Sequence, residues 1–252
     1  MNFAPIIDAL ALPPGARVDQ RVPKKLLLEQ GAPTAADKRQ IQDGIEEMHW
    51  IAALKPTNIG VPEYRDDVRE YLEIAVLTVS FREAAKAARL VELIHRAIPY
   101  PVVLTSGQGE AVSFSLAHKR WSQGEAGKVV VEEVHRSSPF HPAALQTQET
   151  AFLTSLALSA LPAGNLFALY QGWIDCLVGL EASRITGQFV VPDSSERSCA
   201  LRDGLANHDC LQYELKALRA QAAKEKQVNR RVELNMTIKR LEAELADLKT
   251  KL

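Results

Sequence analysis

Two short polar clusters carry residue types that could do chemistry: His95-Arg96 and His118-Lys119-Arg120, with Tyr100 between them in the chain. An imidazole exchanges a proton near neutral pH, and a guanidinium holds charged oxygens with paired N–H donors, so the combination suits a phosphate or phosphodiester. If the two clusters share one rim, His95 and His118 are the candidate acid–base pair of a nuclease-like, phosphodiester-acting site. Arg96, Tyr100, Lys119 and Arg120 would then hold the substrate. Without a catalytic step the same rim is a nucleic-acid or partner surface. Lys24 and Lys25, beside Pro23, add a second basic knot that reads either as a solvated helix entry or as a contact to phosphate or an acidic partner.

The patterns that chemistry usually demands are missing. The chain has no H-E-x-x-H, no nucleophile elbow, no Walker loop and no paired-carboxylate spacing that selects a metal. Gly107-x-Gly109 resembles a phosphate loop, but the residues after it do not read as helical, so no helix N-terminus waits for an anion. Asp43, Glu46 and Glu47 beside His49 read as the wet side of an amphipathic helix, and His135 and His141 with nearby Asp or Glu can be arranged into a zinc site on paper, but a chain with six histidines offers many such arrangements. No metal and no cofactor are expected. Enzyme activity stays open, with the balance toward a non-catalytic protein.

The elements that must position these residues can be read from periodicity. Pro33 and the capping box Thr34 to Asp37 start a helix, and Ile41, Ile45, Met48 and Ala52 at spacings of four, three and four extend it to about Leu54, before Pro56. Tyr71 to Phe81 reads as a strand apolar on both faces, hence central in a sheet. Glu83 to Ile98 returns to the helical period and ends at Pro99 and Pro101, which puts His95 and Arg96 in its last turn. Strands come next at Pro101 to Thr105, Ala111 to Arg120 and Lys128 to Val134. The first two are joined by the hairpin loop Ser106 to Glu110, and the third lies beyond a turn over Gln123 to Gly127. In the second of them Val112, Phe114, Leu116 and His118 share one face and Ser113, Ser115, Lys119 and Trp121 the other.

Ala144 to Arg184 reads as two helices around a turn at Pro162 to Asn165, with Tyr170 and Trp173 on the apolar stripe as core. Phe189 to Asp193 interrupts. Leu211, Leu215, Leu218 and Ala222, then Leu234, Ile238, Leu241, Leu245, Leu248 and Leu252, form two coiled-coil segments whose registers do not join across Lys224 to Arg231. The expected fold class is therefore α+β: a mixed, mainly antiparallel sheet with packed helices, succeeded by a helical hairpin and a C-terminal coiled coil. The corresponding domains are residues 1–143, 144–192 and 208–252.

Bulk properties narrow the classes. In 252 residues, 30 Lys and Arg against 31 Asp and Glu leave a net charge of −1, so no overall field draws nucleic acid or a membrane, and any such binding is local. Three scattered cysteines without a C-x-x-C pair argue against a disulfide framework or a zinc site and for a cytoplasmic location. The N-terminus has no secretory pattern. The uncharged stretch between Glu149 and Asp175 is broken by Pro162, Gly164 and Asn165, so no membrane span is expected.

The segments RVPKKLLLEQ, ADKRQIQDGIEEMHWIAALKP, HRAIPYP, SLAHKRW and LYQGWIDCLVGLEASRITGQF together resemble the bacterial domain of unknown function 4391, over about residues 5–190, with the coiled-coil tail as a further similarity. That resemblance implies a setting beside helicases and DNA methyltransferases in phage-defence or restriction clusters. It carries over no catalytic residue. The expectation is an accessory, non-catalytic subunit of a DNA-processing complex, binding a helicase or methyltransferase partner and nucleic acid, and forming a homo-oligomer through the coiled coil. The alternatives are the phosphodiester-acting enzyme at the His95/His118 rim and a structural coiled-coil adaptor.

Overall fold

A computed structural model describes residues 2–125 and 128–252. The chain opens with α1 (Ala4–Ala9), β1 (Arg17–Arg21), α2 (Lys24–Gln30), α3 (Ala35–Gly44) and β2 (Ile45–Leu54). The short elements α4 (Pro56–Ile59), β3 (Tyr64–Arg65) and β4 (Glu70–Tyr71) lead to β5 (Ile74–Phe81) and α5 (Ala87–Ala97). Next come β6 (Val102–Gln108), β7 (Ala111–Trp121) and β8 (Val129–Arg136), then α6 (Thr147–Ser155) and α7 (Leu166–Thr186). Two long helices end the chain, α8 (Ser195–Lys224) and α9 (Val228–Lys251).

Six strands form one sheet in the order β1-β2-β5-β6-β7-β8. Only β5 and β6 run parallel, because α5 carries the chain back across the sheet between them; the other neighbours are antiparallel. The mixed, mainly antiparallel α+β class read from the sequence is the class observed. Strand β5 is buried at all eight positions, as expected of a central strand covered on both faces. Ile41, Met48, Leu77, Leu90, Ile94 and Leu104 belong to a core that joins α3 and α5 to one face of the sheet. On the other face Phe114 meets Phe152 of α6 at 5.8 Å, and the Trp173 indole of α7 donates to the Leu156 carbonyl at 2.9 Å.

The long helix expected from Thr34 to Leu54 is half strand. Thr34 does cap α3, accepting from the Asp37 amide at 3.1 Å, but the helix ends at Gly44 and β2 begins. An extra residue enters β2 between Ile45 and Glu47, and another between Trp50 and Ala52. A bulge shifts the alternation by one, so Ile45 and Met48, three apart, face the same core. The four-three-four spacing that mimics a helix is the trace of a bulged strand. Glu46 and Glu47 are consequently exposed strand residues. Gly107 likewise lies inside β6; the reversal is the pair Gly109-Glu110, with Gly109 at φ +60°. Of the turn expected over Gln123 to Gly127, Ala126 and Gly127 lie outside the described residues.

The chain divides into two compact units, residues 1–177 and 178–252. Within the second, Leu211 and Leu215 of α8 bury against Leu241 and Leu245 of α9. The Arg197 guanidinium donates to the Leu252 carbonyl at 2.7 Å, and Arg219 pairs with Glu242 at 2.7 Å, so the two helices run antiparallel. The register break expected near Lys224 to Arg231 is the turn of this hairpin, and the leucine seam is filled within one chain. No helix among the described residues is long and apolar enough to cross a membrane.

Candidate functional site

Strand β7 outruns its neighbour β6, and the site grows from that mismatch. Pairing of β6 with β7 ends at Leu104 and Ser115, while β7 continues to Trp121. Beyond the last pair the backbone groups of β7 need other partners. The Tyr170 hydroxyl supplies one: it accepts from the Ala117 amide at 2.8 Å and donates to the Val102 carbonyl at 2.7 Å, bridging the gap between the strands. Trp121 donates to the Val68 carbonyl at 2.8 Å.

Alternation then sends successive side chains of β7 to opposite faces. Ser115 and Lys119 face α5. There His95, fully buried in the last turn of α5, hydrogen-bonds the Ser115 hydroxyl at 3.1 Å, and its Nδ1 has no partner among the described residues. Burial and the nearby Lys119 charge push the His95 imidazole down to about 3, so it is neutral at physiological pH. Lys119 is only 3% exposed, and its Nζ donates to the Ile98 carbonyl. Burial pushes its amine down to about 7.

His118 points the other way. Its Nδ1 meets the Tyr71 hydroxyl and its Nε2 lies 2.8 Å from Gln171 Oε1, while the Gln171 amide donates to Asp175 at 2.8 Å. Because the Gln171 nitrogen is spent on Asp175, its oxygen accepts from His118 Nε2–H, which leaves Nδ1 to accept from Tyr71. Burial raises the Tyr71 phenol well above its usual range, so it stays a donor. The imidazole also packs against Phe167, with ring centres 4.9 Å apart. Tyr71, His118, Gln171 and Asp175 thus form one directed chain of hydrogen bonds from the sheet to α7.

The expected rim therefore separates into parts. His95 and Lys119 are neighbours on one face, and His118 is on the other. Tyr100, Lys119 and Arg120 do come together, around a cavity of about 220 Å³. Leu72, Pro99 and Val129 give it apolar walls and Trp121 a partly exposed aromatic one, while Glu70 at its edge is held by Arg65 at 3.0 Å. Arg96 instead pairs with Glu92 at 2.7 Å and lines a separate depression with Val131 and Arg136. Lys24 donates to the Gln42 carbonyl at 3.0 Å, and Lys25 sits 3.6 Å from Glu29, so both belong to the α2 surface. Trp121 was missed as a lining residue, although its spacing of two from Lys119 puts it on the same face. Gln171 and Asp175 gave no such signal, because their role depends on α7 lying across the sheet. Among the described residues no group of His, Cys, Asp and Glu is arranged to hold a metal ion.

A mixed α+β domain with a mainly antiparallel sheet and a helical C-terminal hairpin is the class that these observations define. Within that class the chain belongs to the family described as Domain of unknown function (DUF4391), which it matches over residues 10–245. No curated protein and no solved structure matches the chain.

Proposed function

We propose that the protein is an accessory, non-catalytic subunit of a bacterial DNA-processing, phage-defence or restriction complex, and that it docks on a helicase or DNA methyltransferase through the outer surface of the α8–α9 hairpin. One observation carries this reading. Val228, Val232 and Met236, spaced by four along α9, are 62%, 52% and 68% exposed, and Tyr213 of α8 is 78% exposed. Lys216 to Arg240 holds eight basic residues against two acidic ones, all but Glu225 exposed. An apolar stripe within a cationic surface suits an acidic partner with apolar anchor points. The burial of His95 and His118 on opposite faces weighs against the phosphodiester alternative, since one substrate cannot reach both rings.

The test is co-purification from the native operon with the double variant Val232→Asp, Met236→Asp. Both positions are exposed, so the helical signal in circular dichroism is expected to be unchanged. Recovery of the helicase or methyltransferase should fall to background, and recovery equal to wild type overturns the reading. Nuclease treatment before capture shows whether DNA bridges the two proteins. Mass by light scattering addresses the adaptor alternative: an oligomer that the double variant converts to a monomer assigns the same stripe to self-association.

A further inference from the structure

The cavity at the end of β7 joins an unusual set of groups. Its lining includes Lys119, a buried cation whose three N–H donors are offered one carbonyl, that of Ile98. No carboxylate pairs with Lys119 among the described residues. A methionine of similar length would fill the same volume without the cost of desolvating an amine, so packing alone does not account for a lysine here. Arg120, next in sequence, also lines the cavity and is tied only loosely, its Nη1 lying 3.4 Å from the Trp121 carbonyl and its Nε 4.0 Å from Glu132. Tyr100 and Trp121 stand at the mouth, 38% and 36% exposed.

We propose that this cavity is a nucleotide site: Lys119 and Arg120 take a phosphate, and the base lies against Tyr100 and Trp121. Lys119 and Arg120 leave β7 toward opposite faces, yet both line the cavity at the strand end; two cations suit a dianion better than a carboxylate, and an aromatic wall stacks any base without reading its identity. The Glu70 carboxylate in the same lining is paired with Arg65 at 3.0 Å. The same chemistry is offered by a free mononucleotide and by the 5′-phosphorylated end of a strand. The assignment stands whether or not the hairpin docks a partner, since it rests on different residues.

Calorimetric titration of the full-length protein at pH 6.5 with deoxyadenosine 5′-monophosphate, deoxyadenosine, inorganic phosphate and benzoate tests it. The nucleotide should saturate one site and bind at least about tenfold tighter than each of the other three, because only it engages both halves of the cavity. Lys119→Met, with its fold verified by a thermal melt, should weaken the nucleotide about tenfold or more, the scale of one lost charge-assisted contact. Arg120→Ala, at a partly exposed position that leaves the core intact, should weaken it severalfold. Affinity of the wild type should fall between pH 6.5 and pH 9, as Lys119 loses its proton, and should not fall in Lys119→Met. A 5′-phosphorylated oligonucleotide that binds tighter than the mononucleotide makes the strand end the ligand; equal affinity makes it the free nucleotide. Unsaturable nucleotide binding, benzoate of equal affinity, or full affinity in both Lys119→Met and Arg120→Ala overturns the proposal.

Discussion

Lys119 exchanges water for a single carbonyl when the chain folds, and that exchange has a sign that pH reveals. Its amine titrates near 7 in the folded protein and near 10.5 in the unfolded chain, so the unfolded state holds the extra proton between those values. Stability should therefore rise with pH from about 7 to about 10.5. Lys119→Met removes the penalty, so it should raise stability at pH 6 by up to roughly 4 kcal/mol and change it little at pH 10.5. Urea unfolding at the two values measures the difference, and equal gains at both would show that packing, and not charge, is responsible. At acid pH two other residues act. His95 is neutral when folded and must charge as pH falls from 6.5 toward 3, which favours the unfolded state. The Asp37 carboxyl, clamped by Arg89 at 2.8 and 3.0 Å and held down at about 2, contributes stability above 3.8 that is lost as pH falls to 2. Asp37→Asn should lower the melting temperature at pH 6 and make little difference at pH 2. His95→Gln should flatten the fall between pH 6.5 and 3.

At the scale of elements, one hydroxyl does the joining that strand pairing cannot. Tyr170 reaches across the place where β6 stops and β7 continues, and Tyr170→Phe would leave the Ala117 amide and the Val102 carbonyl buried without that partner. The expected loss is about 2 kcal/mol, with faster hydrogen exchange at the Ala117 amide and little change at Leu104, which remains paired within the sheet. Exchange rates unaltered at Ala117 would mean that the strand end is held by other contacts. The elements show why some structure was readable and some was not. Strand β5, helix α5 and the hairpin of β6 and β7 come from local apolar patterns and from Pro99, Pro101 and Gly109. Strand β2 was hidden because two bulges gave it a helical spacing, and β1 because an exposed edge strand, Arg17 to Arg21, has no apolar face to announce it. The meeting of Tyr100 with Lys119 and Arg120 was legible from residue types near the ends of a helix and a strand. The separation of His95 from His118 was half legible, since alternation places Lys119 and His118 on opposite faces but does not say which face α5 covers.

For the whole molecule, the division into residues 1–177 and 178–252 separates two kinds of stability. The first unit is held by a sheet buried on both faces, with pairings between strands far apart in sequence. The second rests on one seam of leucines between two consecutive helices. The three tryptophans, Trp50, Trp121 and Trp173, all lie in the first unit, so tryptophan fluorescence reports that unit, while far-ultraviolet circular dichroism also weighs the long helices of the second. Leu241→Ala removes a nearly fully buried side chain from the seam and should cost the hairpin about 2–4 kcal/mol. The helical signal should then melt at a lower temperature, and the fluorescence transition should stay where it is. Coincident shifts of both probes would mean that the two units unfold as one, and would make the α8–α9 hairpin part of the folding core instead of a separately stable arm on which a partner can act.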